Sequence, residues 1–257
     1  MEGPAKDIRP RQDRSRSPLI EIRDLYKSFG DNHVLRGVDL ELYEGENLVV
    51  IGKSGSGKSV LIKCLVGLLY PDRGDIRVLG RDVLSLARKE MDELRSEVGF
   101  LFQGSALYDS MTVRENLLFP LRRHQERMRG KDEETLVHEV LESVGLAHTQ
   151  KLMPAELSGG MKRRIALART LILQPKIILY DEPTSGLDPI TSKEITQLIR
   201  TIQDERQTAA IVITHDMDSA RVIANRMIML INGVNYAEGI YEELYASTDP
   251  KIAAFFK

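Results

Sequence analysis

Residues 48–59 constrain the fold more than any other stretch of the chain. Leu48 to Ile51 is a continuous, mostly β-branched apolar run, the pattern of a strand buried on both faces. It stops at Gly52-Lys53-Ser54-Gly55-Ser56-Gly57-Lys58-Ser59, a full match to G-x-x-x-x-G-K-[ST]. From Val60 to Leu69 apolar residues then fall on almost every face around Lys63, which suits a helix enclosed by other elements. Strand, glycine-rich turn and helix in that order make a phosphate-binding P-loop. Its glycines let backbone N–H groups turn inward on phosphate oxygens, and the helix N-terminus adds a favourable dipole. Lys58 is expected to neutralise β/γ-phosphate charge and Ser59 to offer its hydroxyl to Mg²⁺. The candidate phosphate-holding residues therefore run from Gly52 to Ser59 and into the helix at Val60.

A second apolar run, Ile177 to Tyr180, ends on the adjacent carboxylates Asp181 and Glu182. A buried strand would deliver both to its C-terminal end, the edge at which α/β sheets bind ligands. Asp181 would hold Mg²⁺, and Glu182 would orient or deprotonate an attacking water. Around these two runs, strand and helix patterns alternate. Leu19 to Leu25 and Val38 to Leu42 read as half-buried strands, and Ile76 to Leu79, Val98 to Phe102 and Ala209 to Thr214 as further strands. Asp188 with Pro189 reads as the start of a helix, and Asn232-Gly233 as a hairpin turn. From about Asp109 to Gln150 an amphipathic helical lobe is expected, with Leu136, Val137, Val140, Leu141 and Val144 at helical spacing. The charge run Arg122 to Lys131 reads as a solvated helix end or loop. The expected class is α/β with a parallel central sheet.

Composition narrows the function. The 257 residues suit one domain, or one with an inserted lobe. With 36 Lys+Arg against 38 Asp+Glu the formal charge is −2, so no global basic field draws nucleic acid, and no nucleic-acid partner is expected. The single cysteine, Cys64, cannot form an internal disulfide and is expected to be a small buried hydrophobe. No apolar run reaches the length of a membrane span. Residues 1–18 carry Arg9, Arg11, Arg14 and Arg16 without an apolar core, so they read as a solvated basic arm rather than a secretory signal; lipid-headgroup or partner contact is the alternative.

A P-loop alone leaves GTPases, kinases, helicases and transport ATPases open. Leu157-Ser158-Gly159-Gly160-Met161 supplies a second helix start suited to anions, in the same chain. With it the sequence resembles the ATP-binding-cassette (ABC) family, whose signature is Leu-Ser-Gly-Gly-Gln; Met161 stands in place of the glutamine. The resemblance covers about Leu19 to Ala237. It implies a P-loop ABC ATPase core with an antiparallel β subdomain and a helical subdomain, using ATP and Mg²⁺. Two chains would pair head to tail, so that Ser158, Gly159 and Gly160 of one cover the nucleotide of the other. It further implies that Phe29 stacks on adenine and that Gln103 contacts Mg²⁺ and the attacking water. Asp188 would belong to a loop crossing the dimer interface while capping its own helix, and His215 would touch the γ-phosphate. Glu182, His215 and Gln103 are then the catalytic set, and Ser59, Gln103 and Asp181 the metal set. His33, His124, His138 and His148 are assigned no chemistry.

Two segments resemble one branch, the maintenance-of-lipid-asymmetry (Mla) ATPases that work with Mce-domain proteins. They are Leu101-Phe102-Gln103-Gly104-Ser105-Ala106-Leu107-Tyr108-Asp109 with Met111-Thr112-Val113, and Lys151-Leu152-Met153-Pro154 through Met161. The resemblance implies phospholipid transport between bacterial inner and outer membranes, from the cytoplasmic face of the inner membrane. Partners would be an integral membrane permease, an Mce-domain lipid-binding protein and a STAS-domain subunit. Leu107 to Leu121 would form the groove for a permease helix, with Tyr108, Met111 and Leu118 either lining it or covering the lobe's core. Residues 19–245 would be the cassette and 246–257 a tail, in which Ile252 to Phe256 either dock on the partner protomer or fray. A different transporter, a soluble iron-sulfur-assembly ATPase and a catalytically silent binding module are the alternatives.

Overall fold

The computed structural model describes residues 17–124 and 132–256. Residues 1–16 of the basic arm and 125–131 of the charge run lie outside the described residues. Near the N-terminus, β1 (Ile20–Phe29) and β2 (Asn32–Leu42) pair antiparallel, and β4 (Arg73–Val78) and β5 (Arg81–Asp82) extend them into a four-stranded sheet of order β2-β1-β4-β5. Both long strands outrun the sequence expectation. Their apolar alternation is broken by register shifts after Ile22, Leu25 and Lys27, which hide the period-2 signal.

The second sheet has six strands in the order β10-β9-β3-β8-β7-β6. β3 (Asn47–Ile51), β6 (Val98–Leu101), β7 (Ile177–Asp181), β8 (Ala209–Thr214) and β9 (Arg226–Ile231) pair parallel, and only β10 (Val234–Gly239) is antiparallel. The β9–β10 turn is the expected one: Asn232 and Gly233 both take positive φ, 51° and 76°. Each central strand is covered on both sides. Leu48 and Val50 join the core under the antiparallel sheet, while Val49 and Ile51 join the core under the helices. That double burial is why Leu48 to Ile51 reads as an unbroken apolar run.

α1 (Lys58–Leu65) follows the P-loop and ends short of Leu69, because Gly67 turns the chain at φ 62°. Cys64 on it is fully buried, and burial pushes its thiol up to about 11. Next come α2 (Arg88–Glu97), α3 (Val113–Arg123) and α4 (Glu133–Ser143), then α5 (Gly159–Leu171) and α6 (Pro189–Arg206). α3, α4 and α5 pack through Leu117, Leu118, Leu121, Val137, Leu141 and Ile165. Leu118 is fully buried, so it belongs to this core and not to a groove, whereas Tyr108 is 43% exposed.

The chain closes with α7 (Met217–Ile223), α8 (Tyr241–Tyr245) and α9 (Pro250–Ala253). Here the structure shows the tail packed on its own chain and not frayed. Ile252 is buried in the chain's own core, Phe256 packs edge-on against Tyr241 and Tyr245, and Tyr236 donates to Asp249 at 2.8 Å. Nearby, Arg226 bonds Glu46 at 2.7 Å and also reaches Glu238 and the Glu41 carbonyl, tying the β9–β10 hairpin to the antiparallel sheet. This guanidinium is buried but fully paired, which is the condition for tolerating a charge there.

Candidate nucleotide site

The P-loop is shaped by positions where no side chain fits. A Cβ on Gly52 would lie 2.5 Å from the Leu230 carbonyl oxygen and from Ser56 Oγ. Gly57 sits at φ 101°, and a Cβ there would meet Leu35 Cδ2 at 2.8 Å and Val34 O at 2.9 Å. Gly57 is also the N-cap of α1, and no side chain caps that end. The first N–H groups of α1 are thus left for something outside the chain. Ser56 Oγ is buried without a hydrogen-bond partner in the loop.

Lys58 is 6% exposed and folds back, donating to Gly52 O at 2.7 Å and Lys53 O at 3.2 Å. Burial holds its ammonium below the ordinary lysine range, opposed by the negative charge of Glu182 and Asp181. Glu182 Oε1 is 3.9 Å away. Ser59 Oγ donates to Asp181 Oδ1 at 2.9 Å, so the hydroxyl and carboxylate expected to hold a metal already converge. The parallel pairing of β3 and β7 with β8 brings them together. An uncapped helix start, a crowded glycine cradle, a buried ammonium and a hydroxyl–carboxylate pair fit a nucleotide phosphate with Mg²⁺.

Glu182 has φ 51°, a left-handed conformation rare outside glycine, and its N–H is held by Ile213 O at 2.9 Å. Its Oε2 lies 2.8 Å from His215 Nδ1. Gln103 follows β6 and donates to Ser185 Oγ at 3.3 Å, and Ser185 N–H reaches back to Glu182 O at 3.2 Å. Lys58, Ser59, Asp181, Glu182 and His215 therefore form one contact chain, with Gln103 joined through Ser185. Phe29 ends β1 at 49% exposure, with the Lys27 ammonium 5.4 Å from its ring centroid.

The Ser158 end of α5 stands apart. Ser158 Oγ accepts from Met161 N at 3.2 Å as an ordinary N-cap, and a Cβ on Gly160 would lie 2.6 Å from Thr191 Cγ2. Asp188 caps α6 by accepting from Ile190 and Thr191, and the Thr191 hydroxyl bond holds its carboxyl below the usual range. Among the described residues no hydrogen bond or ion pair joins 158–160 to 52–60. The sequence places Arg163, Arg164 and Arg169 on a helix read as an anion-binding start; in the structure Arg163 and Arg169 instead reach from α5 to carbonyls of the 102–106 loop. Arg163 precedes the buried Ala166 and Leu167 by three and four positions, and that helical spacing was the available signal.

Residues 35–185 match the family model described as ABC transporter. The chain is 41% identical over 236 residues to the probable ribonucleotide transport ATP-binding protein of Mycobacterium leprae, covering 92% of this chain and 68% of that protein. It is 39% identical over 254 residues to the chloroplastic protein trigalactosyldiacylglycerol 3 of Arabidopsis thaliana, covering 92% and 73%. The methionine import ATP-binding protein MetN of Clostridium tetani shares 43% over 215 residues, covering 84% and 67%. Among solved structures, a dimeric ATP-binding cassette in a post-hydrolysis state with ADP and Pi superposes with a TM-score of 0.78. It has 31% identity and covers 86% of this chain and 98% of that one. The chain belongs to the ABC transporter family, as an ATPase with the cassette fold.

Proposed function

We propose that this chain is the ATPase subunit of a bacterial transporter that moves phospholipid between inner and outer membranes. The observation carrying the ATPase part is the contact chain from Lys58 through Glu182 to His215, beside the Ser59–Asp181 pair. Lys58 and the N–H groups of Gly52 to Val60 hold the phosphates, and Phe29 stacks on the base. Ser59, Asp181 and Gln103 would hold Mg²⁺, which would supply positive charge to offset that of the phosphates. Glu182 orients the attacking water and takes its proton, with His215 fixing that carboxylate on one side. Ser158, Gly159 and Gly160 close over the partner chain's nucleotide, and Asp188 lies on the loop between them.

The lipid reading rests on the two Mla-like segments, and a relative bearing the name of a diacylglycerol glycolipid supports it. The chain sits as a peripheral subunit on the cytoplasmic face of the inner membrane; among the described residues no helix is long and apolar enough to cross a membrane. A groove of about 400 Å³, lined by Phe100, Phe102, Ala106, Tyr108, Phe119 and Arg169, receives the permease helix. Mce-domain and STAS-domain proteins complete the complex. Residues 19–245 act as the cassette, with 104–170 as its helical subdomain.

The names of the ribonucleotide and methionine relatives favour a second reading, the same ATPase under another permease. Purifying the chain from detergent-solubilised native membranes, with mass spectrometry of bound proteins and lipids, separates them. A permease with an Mce-domain protein and phospholipid is the expected outcome. A different permease redirects the substrate, and recovery from the soluble fraction alone overturns the transport assignment.

A further inference from the structure

The geometry points to Arg163 as a positioning residue that locks the Gln103 loop to the Glu182–Ser185 turn and links both to the helix of the Ser158 signature. The inference rests on the catalytic roles proposed above for Gln103 and Glu182.

Arg163 lies on α5, five positions after its cap, and is 5% exposed. Burial lowers its affinity for the proton, and among the described residues no carboxylate forms an ion pair with it. A buried guanidinium without a counter-ion is costly to keep. Packing alone would be met by an apolar side chain at this position. The fork is instead spent on two carbonyls of different loops: Nη1 donates to Phe102 O at 2.9 Å and Nη2 to Ser185 O at 3.3 Å, while Nε has no partner.

Those two carbonyls belong to the residue before Gln103 and to the residue that Gln103 itself touches. Gln103 Nε2 to Ser185 Oγ, at 3.3 Å, closes a triangle whose third corner is Arg163. Ser185 N–H to Glu182 O extends the triangle to the left-handed residue that carries the carboxylate. A planar guanidinium can bridge two carbonyls at a fixed separation, and a lysine ammonium cannot reproduce that fork. Arg169, further along α5, grips Ser105 O and Ala106 O, both residues at positive φ. It anchors the far end of the same loop. A shift of α5 is therefore transmitted to Gln103 and Glu182 within the same chain.

The test is a double-mutant cycle on the purified chain with MgATP. Arg163→Lys is expected to lower kcat about tenfold or more, the scale on which sub-ångström to 1 Å misplacement acts, with the Kd for ATP changed less than about threefold. Combined with Gln103→Ala, it should cost no more than Gln103→Ala alone, because both remove the same alignment. A purely structural arginine would lower Tm and leave kcat per folded molecule unchanged, or add its loss independently to that of Gln103→Ala; either result overturns the inference. Arg163→Met covers failure to fold. If Lys and Met variants both fail to fold, the residue serves stability and the inference falls. If Met folds with full kcat, it falls as well. Glu182→Gln run in parallel separates the levels: loss of turnover there with normal Arg163→Lys kinetics sinks only the role of Arg163, whereas retained turnover in Glu182→Gln sinks the ATPase assignments beneath it.

Discussion

The two glycine-containing helix starts of this chain look alike in sequence and differ in chemistry. α1 begins from Gly57 in a left-handed conformation with no side-chain cap, whereas α5 begins from Ser158 in an extended one, its hydroxyl bonded to Met161 N. The first leaves its N–H groups unsatisfied and surrounds them with Lys58, Ser59 and Asp181. The second is an ordinary N-cap on the surface that takes up the Met161 N–H, with no buried ammonium and no carboxylate in its first turn. A helix start built to receive phosphate is under-satisfied by its own chain. One already capped contributes only the outer face of its hydroxyl and glycine backbone. That suits covering a nucleotide held elsewhere.

Breaking the α1 end should give the largest effects. Glu182→Gln is expected to cut kcat by roughly 10²-fold or more, the scale of lost acid–base assistance, with ATP binding preserved in a fluorescent-nucleotide titration. Lys58→Ala should weaken ATP binding itself by about tenfold or more, as expected when a charged hydrogen-bond donor is removed. Unchanged affinity in that variant would remove the P-loop assignment.

Ser158→Ala probes the other end and sharpens the contrast. Losing the cap should cost about 1 kcal/mol of stability in thermal unfolding, with little change in ATP affinity but reduced turnover at chain concentrations where pairs form. A large loss of ATP binding would mean that both helix starts serve the same nucleotide. The smallest effect is expected from Met161→Gln. Met161 is partly buried against the helical core, and its backbone N–H, which the substitution keeps, makes the cap bond. Steady-state turnover should change by less than about threefold, within the range of a surface substitution; a tenfold change would give the Met161 side chain a role not assigned to it.

Local rules made the α1 end legible: a β-branched run, three glycines and a lysine each restrict the backbone over a few residues. Asp181 and Glu182 were legible for the same reason, as was the Asn232-Gly233 turn. What escaped depends on residues far apart in the chain. Arg163 binds carbonyls of residues 102 and 185, and no short window contains both. Leu118 could be placed in a groove or in a core until α4 and α5 packed over it. The tail was undecided because Phe256 meets Tyr241 and Tyr245, and Ile252 enters the core, only after α8 turns back on β10. β1 and β2 were under-read because bulges break alternation, a signal that depends on pairing and not on composition.

The most direct test of the contrast between the two ends is the mass of the Glu182→Gln chain in solution, by light scattering with and without MgATP. A complete α1 site beside a self-capped α5 end predicts a monomer without nucleotide and a dimer with it, the Ser158→Arg change abolishing the dimer while ATP still binds. A chain that binds ATP and stays monomeric at every concentration tried would contradict the account.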